Sequence, residues 1–244
     1  MIQIQHLSKT FAHPVLRNVT LRIPAGCLYG LIGPGASGKS VLLKMITALM
    51  RPDAGTLHVD GQDVLALSEI ELAAFRLKFG MLFQNNALFD SMTVADNVAF
   101  PLRRLGQFSE SEIAERVRER LAAVSLGEFA ERNPSSLSGG QKKRVGVARA
   151  TVTQAPIIFY DEPAAGLDPV TSQKIFDLLR KEQDSAKTTV IMVSSDIDRL
   201  LTVTDRVGMM YRGSLVFDGT TSEAQNSEHA HVKQFIHGLA EGPL

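Results

Sequence analysis

Cysteine is almost absent from these 244 residues: Cys27 stands alone, so no intramolecular disulfide framework can hold the fold. An excess of one charge is also missing. Lys+Arg and Asp+Glu each number 26, a balance that leaves no net field to recruit nucleic acid or an anionic membrane surface. Long apolar runs are lacking too. The stretch Val41 to Met50 is interrupted by Lys44 and falls short of the roughly 20 residues that a spanning helix needs. A membrane role would therefore come through a partner. The start Met1-Ile2-Gln3-Ile4 has neither the charged nor the apolar region of a signal peptide, and the cytoplasm is the expected compartment. With no internal repeat or low-complexity linker, residues 1–244 are read as one domain carrying a lobe.

Strands and helices alternate along what is present. Val15 to Ile23 and Cys27 to Ile32 are strand-like, the latter apolar enough to be buried on both faces, and a helix follows from Lys39. Gly55 to Val59 and Gly80 to Phe83 are further short strands, separated by a leucine-rich helical segment, Leu67 to Phe75. Helical patterns then take over between residues 85 and 153, including Ser109-Glu110-Ser111-Glu112, a capping box that opens a charged helix through Arg120. Strand character returns at Ile157 to Tyr160, Thr188 to Val193 and Arg206 to Tyr211. The pattern predicts an α/β fold: a P-loop core with a largely parallel sheet, an N-terminal antiparallel β part and an inserted helical lobe at 85–153.

Gly33-Pro34-Gly35-Ala36-Ser37-Gly38-Lys39-Ser40 fits the Walker A pattern between a strand and a helix. Glycines let backbone amides turn toward phosphate oxygens and the helix start adds positive potential; Lys39 neutralises β and γ charge, and the Ser40 hydroxyl can ligate Mg²⁺. Chance alone would produce the four fixed positions in roughly one sequence of this length in a hundred, before the strand and helix are required. Ile157-Ile158-Phe159-Tyr160-Asp161-Glu162 ends an apolar strand in two carboxylates. Successive side chains diverge there, so Asp161 can serve a Mg²⁺ shell while Glu162 faces an attacking water as general base. Between the two motifs lies the pentad Leu137-Ser138-Gly139-Gly140-Gln141, which opens a helix from Gly139 to Thr153 with Ser138 as N-cap. Pro163 to Pro169 follows the acidic strand directly. The basic run Lys142, Lys143 and Arg144 reads as a solvated helix face rather than a nucleic-acid patch.

The order Walker A, Gln84, pentad, acidic strand, Asp168 resembles the ATP-binding subunits of ABC transporters over nearly the whole chain. That resemblance implies two identical subunits packed head to tail, each Walker A (Gly33 to Ser40, with Val41) facing the partner's Ser138, Gly139, Gly140 and Gln141, with ATP and Mg²⁺ between them. It makes Gln84 a ligand of Mg²⁺ and water, adds Asp168 to the nucleotide contacts, and places Phe11 where an aromatic stacks on adenine; a core phenylalanine is the competing reading of Phe11. Lys39 to Lys44, Gly80 to Gln84, Ala87 to Asp90, Asn97 to Leu102 and the tail Gln234 to Pro243 are similar to the ATPases of MCE-type lipid transporters, the maintenance-of-lipid-asymmetry system among them. This second resemblance implies phospholipid transport between bacterial membranes, with a permease and an MCE lipid-binding protein as partners. Asn85 to Arg104 would receive the permease's coupling helix, and the subunit would sit on the cytoplasmic face of the inner membrane.

One position departs from that pattern. Where these ATPases carry a histidine contacting the γ-phosphate, the triplet here is Ser194-Ser195-Asp196. A serine hydroxyl is shorter than imidazole and cannot become cationic near neutral pH. Losing one charge-assisted hydrogen bond from the transition state slows turnover by about ten- to a hundredfold. Natural divergence, a degenerate subunit paired with an active one, and a substitution that holds the ATP-bound dimer are all consistent with Ser195. His229, His231 and His237 lie in the tail as expected surface residues. Two rivals stand beside the lipid reading: an ABC ATPase for another cargo, in nutrient import or lipoprotein release, and a catalytically silent nucleotide-binding subunit.

Overall fold

Apolar residues at Ile2, Ile4 and Leu7 bury one face of the first strand in the computed structural model, which describes residues 1–244. The chain divides into two compact units, Met1–Arg76 with Thr189–Leu244, and Leu77–Thr188. The first unit opens with β1 (Ile2–Thr10), β2 (Pro14–Ile23), β3 (Leu28–Ile32), α1 (Lys39–Ile46), β4 (Ala54–Val59), β5 (Gln62–Asp63) and α2 (Glu69–Arg76). The second comprises β6 (Phe79–Leu82), α3 (Val94–Leu105), α4 (Glu110–Ala123), α5 (Gly139–Thr151), β7 (Ile157–Asp161) and α6 (Pro169–Ala186). The first then resumes with β8 (Thr189–Val193), α7 (Ile197–Val203), β9 (Arg206–Tyr211), β10 (Ser214–Thr220), α8 (Thr221–Gln225) and α9 (Ala230–His237). No helix is long and apolar enough to cross a membrane.

In the first unit, β1 lies antiparallel between β2 and β4, pairing Ile4 with Leu21 on one side and with Leu57 on the other. All three side chains are buried. The N-terminal antiparallel part expected from the sequence is thus present, and β1, which that reading left out, is one of its two inner strands. A register shift after Ile4, with His6 at a φ of 54°, breaks the two-residue alternation there. Strand β3 pairs in parallel with both β8 and β9, and β10 closes antiparallel on β9. Every residue of β3 and β8 is buried. Strands covered on both faces carry continuous apolar runs, and they deliver their following loops to one end of the sheet, where α/β folds bind ligands.

The second unit is built around α5. Its strands β6 and β7 are parallel, and α5 lies directly on β6: a Cβ on Gly80 would stand 2.0 Å from the Ala150 carbonyl oxygen. Every regular element between β6 and β7 is helical. Ser109 and Glu112 form the anticipated capping box, and α4 continues three residues past Arg120 to Ala123. Arg120 bonds Glu182 of α6 at 2.6 Å, a largely buried pair.

Candidate functional site

The loop Gly33 to Gly38 leaves buried β3 and enters α1, whose N-cap is Gly38. Helices α3, α4, α5 and α8 each begin with a hydroxyl that accepts an amide of the first turn, from Thr93, Ser109, Ser138 and Thr220. Helix α1 has no side-chain cap and no acid in its first turn. Its leading N–H groups therefore offer positive potential to an acceptor from outside. The Lys39 ammonium arches over the loop, donating to the carbonyls of Gly33 at 2.7 Å and Pro34 at 2.8 Å and to the Ser37 hydroxyl at 3.3 Å. Ser40 is exposed at the second helical position, Val41 is half-buried, and a Cβ on Gly35 would meet nothing within 4 Å. A glycine-lined loop, an ammonium, a hydroxyl and an uncapped helix start form a donor set that fits a polyphosphate chain.

Phe11 is 53 % exposed, which excludes the core alternative for this residue. The Lys9 ammonium lies 5.6 Å from its ring centre and is held by Asp53 at 2.6 Å. Ser195 follows β8 and is exposed. The buried Ser194 hydroxyl accepts the Asp196 amide at 3.1 Å, and the Asp196 carboxylate caps α7.

In the second unit, β7 buries Ile157 to Tyr160 and brings Asp161 and Glu162 half-buried to its end. Glu162 holds a left-handed φ of 50°. Gln84 follows β6 and is exposed. Oxygen donors of the kind carried here by Asp161 and Gln84, and in the first unit by Ser40, are each of a type that suits Mg²⁺, which takes few protein ligands and completes its shell with water and phosphate. Ser138 and Gln141 form a reciprocal capping box: the Gln141 amide reaches Ser138 Oγ at 3.3 Å, and Gln141 Oε1 accepts the Ser138 amide at 2.8 Å. The Gln141 side-chain oxygen thus orders its own turn, while Ser138 and Gly139 remain exposed and Gly140 half-exposed. A Cβ on Gly140 would stand 2.8 Å from Thr171 Cγ2. Asp168 caps α6 by accepting the amides of Val170 and Thr171, and hydrogen bonding from Thr171 holds its carboxyl below the usual range.

The structure corrects the reading of the basic run as a solvated face. Lys142 and Arg144 are half-buried, and Lys143 is only 4 % exposed. Its ammonium donates to the carbonyls of Gln84 at 2.5 Å and Glu162 at 3.1 Å. Burial pulls its pKa below the ordinary lysine range, opposed by the carboxylates of Glu162 and then Asp161. Two more polar residues hold backbone in a way the sequence reading did not predict. Arg149, likewise buried, donates to the carbonyls of Asn86 and of Ala87, the latter at 2.7 Å. Asn97 binds the backbone of Phe89, Met92 and Thr93. Available in the sequence was the unbroken small and apolar run Val145 to Ala148, which marks α5 as a buried helix and a cation within it as a buried cation.

A protein-family model described as ABC transporter matches residues 16–165. The chain is 41 % identical over 244 residues to the probable ribonucleotide transport ATP-binding protein mkl of Mycobacterium tuberculosis, covering 100 % of this chain and 68 % of that protein. It is 40 % identical over 242 residues to the methionine import ATP-binding protein MetN 1 of Pseudomonas putida, with coverages of 97 % and 72 %. A dimeric ATP-binding cassette solved in a post-hydrolysis state with ADP and Pi superposes with a TM-score of 0.82 at 33 % identity, over 91 % of this chain and 99 % of that one.

Proposed function

This chain belongs to the ABC transporter ATP-binding family, and from that premise we propose that it hydrolyses Mg-ATP in a head-to-tail pair to drive phospholipid transport between bacterial membranes. The observation that carries the nucleotide part is α1, a helix that starts on glycine without a side-chain cap beneath a lysine-bridged loop. In this reading residues 1–244 act as one ATPase domain with a helical lobe at 85–153. Lys39 and the loop Gly33 to Val41, through its backbone N–H groups other than at Pro34, hold the β- and γ-phosphates, and Phe11 stacks on adenine. Ser40, Gln84 and Asp161 would hold Mg²⁺, which would neutralise charge on the phosphate oxygens. Glu162 orients the attacking water and takes its proton as ADP leaves. Ser138 to Gln141 and Asp168 serve the nucleotide of the second copy.

The lipid cargo is supported by the segments that resemble MCE-type transporter ATPases, and it entails a permease received at Asn85 to Arg104, an MCE lipid-binding protein and a position on the cytoplasmic face of the inner membrane. A second reading, import of another small cargo, is favoured by the likeness to a methionine importer. Purifying the intact membrane complex and identifying what travels with it separates the two: a bound phospholipid supports the first, an amino acid the second.

Ser195 is expected to leave ATP binding intact and slow the chemical step. Replacing it by histidine in the permease complex should raise kcat by about ten- to a hundredfold at similar KM. Equal rates would reject this role, and binding without hydrolysis in both proteins would favour the silent-subunit reading.

A further inference from the structure

We infer that Lys143 is a positioning residue that makes Gln84, Glu162 and the start of helix α5 move as one body, so that engagement of Ser138 to Gln141 by a second copy's nucleotide is felt at Glu162. The inference rests on the hydrolytic reading above and goes beyond it by naming the mechanical link.

Three observations carry it. Lys143 sits two residues, about half a helical turn, beyond the pentad, in the helix that Ser138 and Gln141 cap. Its ammonium is buried and bonds two carbonyls from different segments, one following β6 and one following β7. Those carbonyls belong to Gln84 and Glu162, the residues expected to handle the water. Glu162 also holds a left-handed backbone, which L side chains rarely adopt unless their surroundings fix it, and Lys143 is one of the donors that fix its carbonyl. Other polar anchors of the same segment do not make this link: Arg149 reaches Asn86 and Ala87, and Asn97 reaches Phe89 to Thr93. A purely structural lysine would lower stability without coupling the two carbonyl-bearing segments.

Hydrogen exchange on the nucleotide-free chain tests the link without relying on turnover. In Lys143→Met, residues 83–87 and 162–167 should both exchange about tenfold faster or more, with amides of β3 and α1 unchanged. In Arg149→Met the increase should stay within 83–92. Faster exchange at 83–87 with 162–167 unchanged overturns the inference, as does no change in either. Should Lys143→Met fail to fold, Lys143→Gln, too short to hold both carbonyls, must give the same paired increase. In the permease complex, Lys143→Met should lower kcat by about ten- to a hundredfold with KM within about threefold, and Lys143→Arg should recover part of the loss. A raised KM at unchanged kcat also overturns it. If neither the parent nor Ser195→His hydrolyses ATP, the hydrolytic reading fails and the exchange result still decides the role of Lys143.

Discussion

Replacing Asn97 with aspartate tests how the segment after β6 is held. The side chain is fully buried. Its Oδ1 accepts the Phe89 amide at 2.8 Å, while Nδ2 donates to the carbonyls of Phe89 at 3.0 Å, Met92 at 3.3 Å and Thr93 at 2.9 Å. Aspartate keeps the size and shape but sets an oxygen against those three carbonyls. A net hydrogen bond is worth about 1 kcal/mol, and an orphaned buried acceptor costs about 1–3 kcal/mol. The two shorter contacts dominate, and with the added burial of a charge they give an expected loss of about 3–5 kcal/mol near pH 7.5. Burial and the facing carbonyls would also hold the new carboxyl above the usual aspartate range. A group whose folded pKa is raised contributes most below its unfolded pKa and loses that contribution as pH rises through the folded pKa. The deficit should therefore shrink on going down to about pH 5, where the acid regains a donor. Urea unfolding followed by circular dichroism at both pH values measures this, with Asn97→Ala as the control that leaves no charge. A deficit under about 1 kcal/mol near pH 7.5, or one independent of pH, would refute the reasoning.

Tyr160 is buried with no hydrogen-bond partner for its hydroxyl, and burial pushes the phenol well above its ordinary pKa; Tyr160→Phe should leave stability unchanged or raise it by about 1 kcal/mol, and a clear drop in the urea midpoint would reveal a hidden partner. Gly80→Ala would drive a methyl into the Ala150 carbonyl, so an expected cost of about 2–3 kcal/mol should appear in the same assay, and an unchanged midpoint would contradict the close contact of β6 with α5.

The parts of the fold legible in the sequence were those where one local signal dominates. Cys27 to Ile32 is apolar throughout, and Leu28–Ile32 is a strand buried on both faces; Ser109 and Glu112 cap α4 as their spacing requires. Strand β1 was not legible because the shift at His6 interrupts the alternation that would announce it. Strand β10 has only Gly219 fully buried, so its residues carry little pattern. The glycine loop, Lys39 and the two carboxylates could be picked out because their chemistry needs fixed neighbours in sequence. For Lys143 and Arg149 the run Val145 to Ala148 could announce burial but not the partners, which are backbone carbonyls brought near only by folding, and a carbonyl leaves no trace in residue identity.

Burial of Cys27 has a practical side. The thiol is 7 % exposed, and the chain has no tryptophan. Shielded sulfur and a missing indole leave the native protein blank to thiol-reactive dyes and to selective tryptophan excitation. A cysteine placed at exposed Ser135 would be the one readily labelled thiol, and Phe83→Trp would set a single indole beside Gln84. Pairing of subunits and motion of the segment after β6 could then be followed separately in one background, with no native cysteine to remove first.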